Sequence, residues 1–119
     1  DYVELENIRF SGKINFQNIG SLPNISIPKF SIQLLVENAI KHGFESNKEL
    51  NITLIYDQDI NALVLKNDGK PIKTSKFGTG LSNLEQRLKL LCKGSIKVTD
   101  LQKPTFTIYL GDCNENTAR

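Results

Sequence analysis

A group of polar side chains that could bind a ligand stands within the most apolar stretch of the chain, residues 31–43. Lys41 and His42 follow Asn38 at three and four residues, so in a helix the three side chains would share one face. Glu37 lies beside Asn38 around the same helix. Apolar residues recur at helical spacing on the buried side: Ile32, Leu35, Val36, Ala39 and Ile40. An amide, a cation and an imidazole next to this stripe predict one wall of a binding site.

Each of these residues also has a simpler interpretation. Lys41 suits the last turn of a helix, where a cation interacts favourably with the helix dipole, and His42 could be an exposed or capping side chain. Gly43 is expected to end the helix in the left-handed conformation. Asn38 is harder to explain structurally, because asparagine is a mediocre helix former and a buried amide needs hydrogen-bond partners.

A glycine-rich turn, residues 78–83, precedes another predicted helix. Its letters G-T-G-L-S-N begin like a dinucleotide-binding fingerprint, but Asn83 stands in the sixth position and a lysine-rich loop precedes the turn. Such a turn leaves backbone N–H groups and the positive end of the helix dipole available to phosphate oxygens. The alternative is a flexible turn in which Ser82 caps the helix. The Walker pattern is absent, which excludes a P-loop.

The residues Asn67-Asp68-Gly69 follow a predicted strand. Asparagine, aspartate and glycine are common in turns, so a simple turn is one interpretation. The functional interpretation is that a side-chain acceptor at the strand end takes a hydrogen bond from an adenine amino group, while glycine lets the backbone approach the base.

Composition excludes several classes of function. The net charge of +2 and scattered lysines give no reason to propose nucleic-acid binding. No apolar run approaches the ~18 residues that would cross a membrane. One histidine and two separated cysteines disfavour a transition-metal site and a disulfide framework, and favour reduced cysteines in a cytosolic setting. Neither G-x-S-x-G nor a cue tying a cysteine to His42 indicates a catalytic nucleophile, and Glu37 is the only acid in the polar wall.

The elements that must position these residues are helices interleaved with strands. Periodicity and turn residues predict helices over about 1–10, 29–42 and 80–93, and strands over 13–19, 50–56, 62–66, 95–99 and 105–110. The last helix has a predicted apolar stripe of Leu81, Leu84, Leu88 and Leu91. Strands outnumber helices and form sequential hairpins, which predicts a two-layer α/β (α+β) sandwich with a mixed, mostly antiparallel sheet and helices on one face.

In this order, the E-N-A-x-K-H-G helix, the N-D-G turn and the G-T-G-L-S-N turn resemble the GHKL ATPase superfamily. The chain is similar to the ATP-binding domain of a LytS-type sensor histidine kinase, and residues 6–10 resemble that family's E-x-x-R-F segment just before the domain. The resemblance covers nearly the whole chain and implies the Bergerat-type fold of this superfamily.

The resemblance implies a site for ATP and Mg²⁺. Asn38 would give its carbonyl oxygen to Mg²⁺, and Glu37, the other candidate catalytic residue, would orient the metal shell or a water, or only solvate the helix edge. Lys41 and His42 would approach the phosphates, and Asn67 would meet the adenine amino group. Residues 70–79 would form a short ATP lid. The other implied ATP-binding residues are Gly69 and Ile72 at the base, Thr105 at the adenine edge, and Gly78, Thr79, Gly80 and Leu81 at the phosphates.

Two positions depart from the family pattern. Asn67 stands where the family usually has aspartate, so an acceptor remains but its charge is lost. Pro71 replaces the second glycine of the family's D-x-G-x-G, which stiffens the start of the lid. Both departures predict weaker nucleotide binding than is usual in the family.

The implied activity is that of a histidine protein kinase domain, which transfers a phosphoryl group from ATP to a histidine in an upstream dimerisation domain of the same or the dimer-mate chain. A response regulator would then be the signalling partner. The whole protein is expected to be a homodimer in a bacterial inner membrane, with this domain on the cytoplasmic side. Residues 1–10 would end a linker helix, 11–111 would form the ATP-binding domain, and 112–119 a polar tail. The fragment alone is expected to turn over little ATP.

Two alternatives share the fold. One is a serine kinase of the anti-sigma type, whose helix motif is similar. The other is a degenerate interaction module that no longer uses ATP, for which Asn67 and Pro71 are the evidence.

Overall fold

The computed structural model describes residues 14–20, 27, 31–43, 49–73 and 77–113. In chain order the elements are β1 (Ile14–Ile19), α1 (Ser31–Gly43), β2 (Leu50–Asp57), β3 (Ala62–Asn67), α2 (Thr79–Cys92), β4 (Ser95–Asp100), β5 (Thr105–Tyr109) and a 3₁₀ turn (Gly111–Cys113). The helix predicted over 1–10, the loop 44–48 and the tail from 114 lie outside the described residues. Within the described residues, no helix is long and apolar enough to cross a membrane.

The strands form one mixed sheet in the order β1-β2-β3-β5-β4. β1 pairs parallel with β2, whereas the β2–β3, β3–β5 and β4–β5 pairs are antiparallel. The two hairpins expected from the sequence, β2–β3 and β4–β5, are both present. The parallel β1 strand can join the sheet because α1 provides the crossover connection that parallel neighbours require.

One face of the sheet carries the core. Along β2 the buried residues Leu50, Ile52 and Leu54 alternate with Asn51 and Thr53, as the two-residue period of a strand requires. Both helices pack on the apolar face, and the sheet and helix residues form a single buried cluster. This mixed sheet with helices on one face confirms the predicted two-layer sandwich.

Helix α1 buries four of the five residues of the predicted stripe against the sheet, with Leu35 and Val36 fully inaccessible, and Ile40 is only partly buried. Its end differs from the expectation. Gly43 is the last helical residue and does not have the positive φ of a left-handed stop. A side chain there would have a Cβ 3.1 Å from Asn67 Oδ1, which is a tight contact, and 3.4 Å from Gly69 Cα, so glycine favours the close approach to the end of β3.

Helix α2 buries Leu81, Leu84 and Leu88, as predicted, but not the last member of its expected stripe. Leu91 is 60% exposed, and Cys92 is buried in its place. The left-handed residue that ends α2 is Lys93, at φ 61°. Its N–H donates to the Lys89 carbonyl at 3.2 Å, and the N–H of Gly94 donates to the Leu88 carbonyl at 3.0 Å.

Cys92 corrects another expectation. It is disulfide-bonded, whereas the sequence favoured reduced cysteines. The end of α2 packs against the 3₁₀ turn Gly111–Cys113, which brings distant parts of the chain together. Sequence spacing gave no sign of this proximity.

Candidate nucleotide site

A cavity of about 400 Å³ opens where α1, the loop after β3 and the start of α2 meet. Its polar lining comes from Asn38 and His42 on α1 and from Lys70 and Lys73 on the loop. Its other lining residues are Pro71, Ile72, Phe77, Gly78, Leu81, Val98 and Phe106. The volume lies in the range of small-ligand pockets.

The lining is divided by chemistry in a way that suits a nucleotide. Phe77, Val98 and Phe106 provide apolar surface, of the kind that covers a planar base. Lys70 and Lys73 provide positive charge, and none of the described residues that line this cavity is an acid. A ligand with an apolar ring and an anionic tail is therefore the best chemical match.

The end of β3 is held tightly against the end of α1. The Gly69 N–H donates to Asn67 Oδ1 at 2.9 Å, and the Lys70 N–H donates to the Gly43 carbonyl at 3.2 Å. A Cβ built on Gly69 would lie 2.5 Å from the Gly43 carbonyl oxygen and 2.7 Å from its Cα. Glycine at both positions therefore lets the two backbones touch, which fixes Asn38 and His42 relative to Asn67.

A second, smaller space of about 10 Å³ lies beside Asn67. It shares lining residues with the larger cavity: Asn38, His42, Lys70, Ile72 and Phe106. This is only about the space that one water molecule occupies. A base that reaches Asn67 from the larger cavity must therefore displace some of the shared side chains.

Hydrogen bonds to the β4–β5 turn and to β2 anchor the loop after β3. The Ile72 N–H donates to the Leu101 carbonyl at 2.8 Å, which ties the loop to the β4–β5 turn. Asp68 turns to the other side, where its carboxylate accepts the Asn51 backbone N–H at 2.8 Å and the Asn51 side-chain amide at 2.7 Å. Asp68 thus ties the end of β3 to the start of β2, whereas its neighbour Asn67 faces the space beside the cavity.

The start of α2 borders the cavity through Gly78 and Leu81. Gly78 is the N-cap residue, in an extended conformation, and no side chain caps the helix. Ser82 therefore does not cap α2; its own N–H donates to the Gly78 carbonyl at 3.0 Å. The first backbone N–H groups of α2 remain available to an anion, with the positive end of the helix dipole behind them.

The structure brings several of the predicted site residues together. Asn38, His42, Asn67 and Ile72 line the cavity or the space beside it, and Gly69 packs directly behind them. Gly78 and Leu81 complete the opposite wall. These residues come from α1, the end of β3 and the start of α2, as the sequence motifs implied.

Other predicted residues lie apart from this cavity. Glu37 and Gly80 line a separate groove of about 690 Å³ between α1 and α2, and Gly80 faces Leu34. Lys41 and Thr79 are exposed and line neither the cavity nor the space beside Asn67.

Thr105 lies on the opposite face of the sheet from Asn67. It pairs with Lys66, whose side chain points away from the core, and its hydroxyl donates to the Lys103 carbonyl at 2.7 Å. Pro104 takes the corresponding place beside Asn67, where its carbonyl accepts the Asn67 N–H at 3.0 Å. The hydroxyl of Thr105 is thus already used away from the cavity.

The sequence motifs missed the apolar side of the cavity. Phe77 is an isolated aromatic residue in a basic loop, and that contrast could have been noticed. Val98 and Phe106 alternate with polar residues on their strands, so they resembled ordinary core residues. Only the pairing of β4 with β5 brings these two side chains together at the cavity.

Asn38 has the chemistry to hold a magnesium ion. Its side chain is half-buried, lines both spaces and makes no hydrogen bond to any described residue. The described residues contain no group of three or more His, Cys, Asp or Glu side chains that could hold a metal. One amide oxygen plus phosphate oxygens and waters fits Mg²⁺, which is commonly bound in this way with nucleotides.

Comparison with known proteins gives relatives of one kind. The chain is 31% identical over 109 residues to the sensor histidine kinase/phosphatase LytS of Staphylococcus aureus, and 38% identical over 106 residues to the sensor protein LytS of Bacillus subtilis. These alignments cover 74% and 73% of this chain but 18% of each relative. No family model matches the chain.

Solved structures show the same fold. The histidine kinase domain of the blue-light activated histidine kinase from Erythrobacter litoralis matches 91% of this chain and 60% of its own, with a TM-score of 0.60 and 14% identity. The catalytic domain of the histidine kinase ThkA matches 81% of this chain and 76% of its own, with a TM-score of 0.50 and 18% identity. With these relatives, this fold and a cavity bounded by the three motifs, the chain belongs to the ATP-binding catalytic domains of LytS-type sensor histidine kinases in the GHKL superfamily.

Proposed function

We propose that the domain binds ATP with Mg²⁺ in the cavity between α1, the end of β3 and the start of α2. The base would lie against Phe106 and Ile72 with its edge toward Asn67. The triphosphate would extend toward Lys70, Lys73 and the free N–H groups of α2. Mg²⁺ would offset phosphate charge and fix the geometry of the transferred group.

The observation that carries this proposal is the meeting of an uncapped helix start and two lysines with an apolar wall in one cavity. Phosphoryl transfer depends mostly on positioning and on neutralising charge, so a site of this kind needs few chemically reactive side chains. His42 borders the cavity beside Asn38, which supports a role next to the phosphates.

Calorimetric titration with a non-hydrolysable ATP analogue, with and without Mg²⁺, tests the proposal. Wild type is expected to bind more tightly with Mg²⁺. Asn38→Ala should lose most of that Mg²⁺-dependent gain, about tenfold or more if one metal ligand contributes as a charge-assisted contact does. Gln33→Ala is the matched control, because it also removes an amide from α1 but from the side that faces the separate groove. Absence of binding by wild type, or equal binding by Asn38→Ala, would contradict the proposal.

We further propose that the phosphoryl acceptor is a histidine in an upstream dimerisation domain, and that a response regulator receives the group next. The similarity to named LytS sensor kinases supports this role. In a membrane-anchored homodimer the domain would lie on the cytoplasmic side. Labelling the longer protein with γ-labelled ATP should give an acid-labile phosphohistidine, whereas acid-stable phosphoserine on a partner would favour a serine kinase instead.

A degenerate, non-catalytic module remains a distinct second candidate, supported by one structural observation. The space beside Asn67 is about 10 Å³, and Pro71 stands at the start of the loop that borders it. In such a module the wild-type chain would not bind nucleotide, and Asn67→Asp would create binding. Binding by the wild-type chain rules this candidate out.

A further inference from the structure

Asn51 lies near the start of β2, on the face of the sheet opposite the core. Its side chain is exposed and lines neither the nucleotide cavity nor the space beside Asn67. It nevertheless holds Asp68, which directly follows Asn67 in the chain. A residue outside the site is thus bonded to the neighbour of the side chain that the proposed base would meet.

Three hydrogen bonds join Asn51 to Asp68. The Asn51 backbone N–H donates to Asp68 Oδ1 at 2.8 Å, and its side-chain Nδ2 donates to Oδ2 at 2.7 Å. In return, the Asp68 N–H donates to the Asn51 carbonyl at 3.2 Å. The paired residues of β2 and β3 end at Ile52 and Asn67, so these bonds continue the pairing by one residue. Two of them go to a carboxylate, which makes them stronger than bonds between neutral groups.

The amide of Asn51 can be turned only one way. Its Oδ1 accepts the side-chain N–H of Asn15 at 3.0 Å, while its Nδ2 donates to Asp68. Half a turn of the amide would set two NH₂ groups against each other at one end and two oxygens at the other. Asn15 also donates to Glu49 Oε2 at 3.0 Å. One row of hydrogen-bonded side chains therefore joins β1, the start of β2 and the end of β3.

This row determines which side chain at the end of β3 faces the nucleotide site. Successive side chains of a strand point to opposite faces. Asn67 is only 7% exposed, on the side of the helices, whereas Asp68 is exposed on the other side. A shift of β3 by one residue would exchange the two. The hydrogen bonds from Asn51 oppose that exchange, because they engage both carboxylate oxygens of Asp68 on the outer face.

We infer that Asn51 is a positioning residue for the base end of the nucleotide site, acting through Asp68 to keep the Asn67 side chain turned into the site. The inference rests on the proposed nucleotide site and adds to it a residue of β2 that lies outside the three sequence motifs. Because Asn51 does not line the cavity, its loss should weaken contacts to the base and spare contacts to the phosphates.

Exchanging the two side chains tests the inference. Asn51→Asp would set two carboxylates against each other, and Asp68→Asn would set two NH₂ groups against each other. Each single variant should weaken Mg²⁺–ATP binding by about 3- to 30-fold, as expected for a mispaired and partly screened polar contact. The double variant Asn51→Asp/Asp68→Asn restores every one of these hydrogen bonds with donor and acceptor exchanged, at the net charge of wild type. Its ATP affinity should return to within about threefold of wild type.

Inorganic tripolyphosphate with Mg²⁺ separates positioning of the base end from general loss of structure. It carries phosphates without a base, and displacement of a fluorescent nucleotide measures its affinity beside that of ATP. The single variants should weaken ATP and leave tripolyphosphate unchanged, whereas a damaged fold or an added charge near the phosphates would weaken both. Asn18→Asp is the matched control for charge, since it alters an exposed residue of β1 that pairs with Leu54, and it should change neither affinity.

Three results would each overturn the inference and leave the ATP site standing. They are unchanged ATP affinity in both single variants, equal losses of ATP and tripolyphosphate affinity, and a double variant that binds ATP no more tightly than the single variants do. If the wild-type chain binds no nucleotide, the proposed function itself is wrong.

Discussion

Gly69→Ala is expected to move the end of β3 away from the end of α1, which form two sides of the site. The added Cβ would lie 2.5, 2.7 and 2.8 Å from the carbonyl oxygen, Cα and carbonyl carbon of Gly43. Ordinary contacts between carbon atoms are about 3.5–4.0 Å, so the backbones must part by roughly 1 Å. No side-chain rotation can relieve the overlap, because every atom involved belongs to the Gly43 backbone.

The cost follows from the contacts that this movement disturbs. Overpacking of a tight contact costs about 1–3 kcal/mol. Loss of the hydrogen bond from the Lys70 N–H to the Gly43 carbonyl adds about 1 kcal/mol. Together they predict a loss of about 2–4 kcal/mol in the free energy of unfolding. Nucleotide binding should weaken as well, since Asn38 and His42 would move away from Asn67.

Urea denaturation followed by circular dichroism measures the first effect, and calorimetric titration the second. Gly80→Ala, within helix α2, is the matched control, because its added Cβ would contact the Leu34 side chain at an ordinary distance of 3.6 Å. Because alanine is the better helix former, this variant should gain about 0.5–1 kcal/mol of stability. A Gly69→Ala protein within about 0.5 kcal/mol of wild type, the scatter of ordinary surface substitutions, would refute the close approach of the two backbones.

Further substitutions test other parts of the structure. Leu88→Ala, at a fully buried position of α2, should lower the free energy of unfolding by about 3–5 kcal/mol. Leu90→Ala is the control, since its side chain is 89% exposed, and it should change the same quantity by less than about 0.5 kcal/mol. Urea denaturation measures both. Neutralising the cavity lysines in a Lys70→Gln/Lys73→Gln double variant should weaken ATP binding about 2- to 30-fold and reduce its salt dependence. Lys97→Gln is the control, because Lys97 lies on the opposite face of the sheet beside the Tyr109 ring, and it should change neither ATP affinity nor its salt dependence in the same titrations. An equal loss of ATP affinity in the double variant and in Lys97→Gln would contradict the assigned cavity.

Local patterns in the sequence were sufficient to predict most of the elements. The polar and apolar alternation of β2 and the helical stripe of α1 each depend on neighbours within a few residues, so both could be predicted. The prediction for Leu91 was wrong because the buried face of α2 continues from Leu88 to Cys92, four residues on, and leaves Leu91 exposed. Which of these two residues is buried depends on packing against the sheet and the 3₁₀ turn, which a local pattern does not contain.

The polar half of the site was also predictable, because its residues occur in short motifs. Asn38 and His42 on one helix face, and Asn67 at a strand end, needed no knowledge of distant contacts. The apolar half was not predictable in this way. Phe106 meets the cavity through the pairing of β3 with β5, and that register is a long-range property of the sheet.

Gly43 illustrates the same limit at a single residue. Glycine after a helical stripe is typical of a left-handed helix end, which is a local cause. The structure shows a non-local reason instead, since a Cβ at Gly43 would lie 3.1 Å from Asn67 Oδ1 and 3.4 Å from Gly69 Cα. Long-range packing and a helix cap can each favour glycine, so the sequence alone does not distinguish the two causes.

The central claim is that Mg²⁺–ATP lies between α1, the end of β3 and the start of α2. Titration of the isotopically labelled chain with Mg²⁺ and a non-hydrolysable ATP analogue, followed by amide chemical shifts, tests it most directly. Gly69, Gly78 and the first residues of α2 should shift strongly, while Lys97 and Thr107 on the opposite face should stay fixed. Shifts confined to the groove lined by Glu37 and Gly80, or no shifts at all, would contradict the claim.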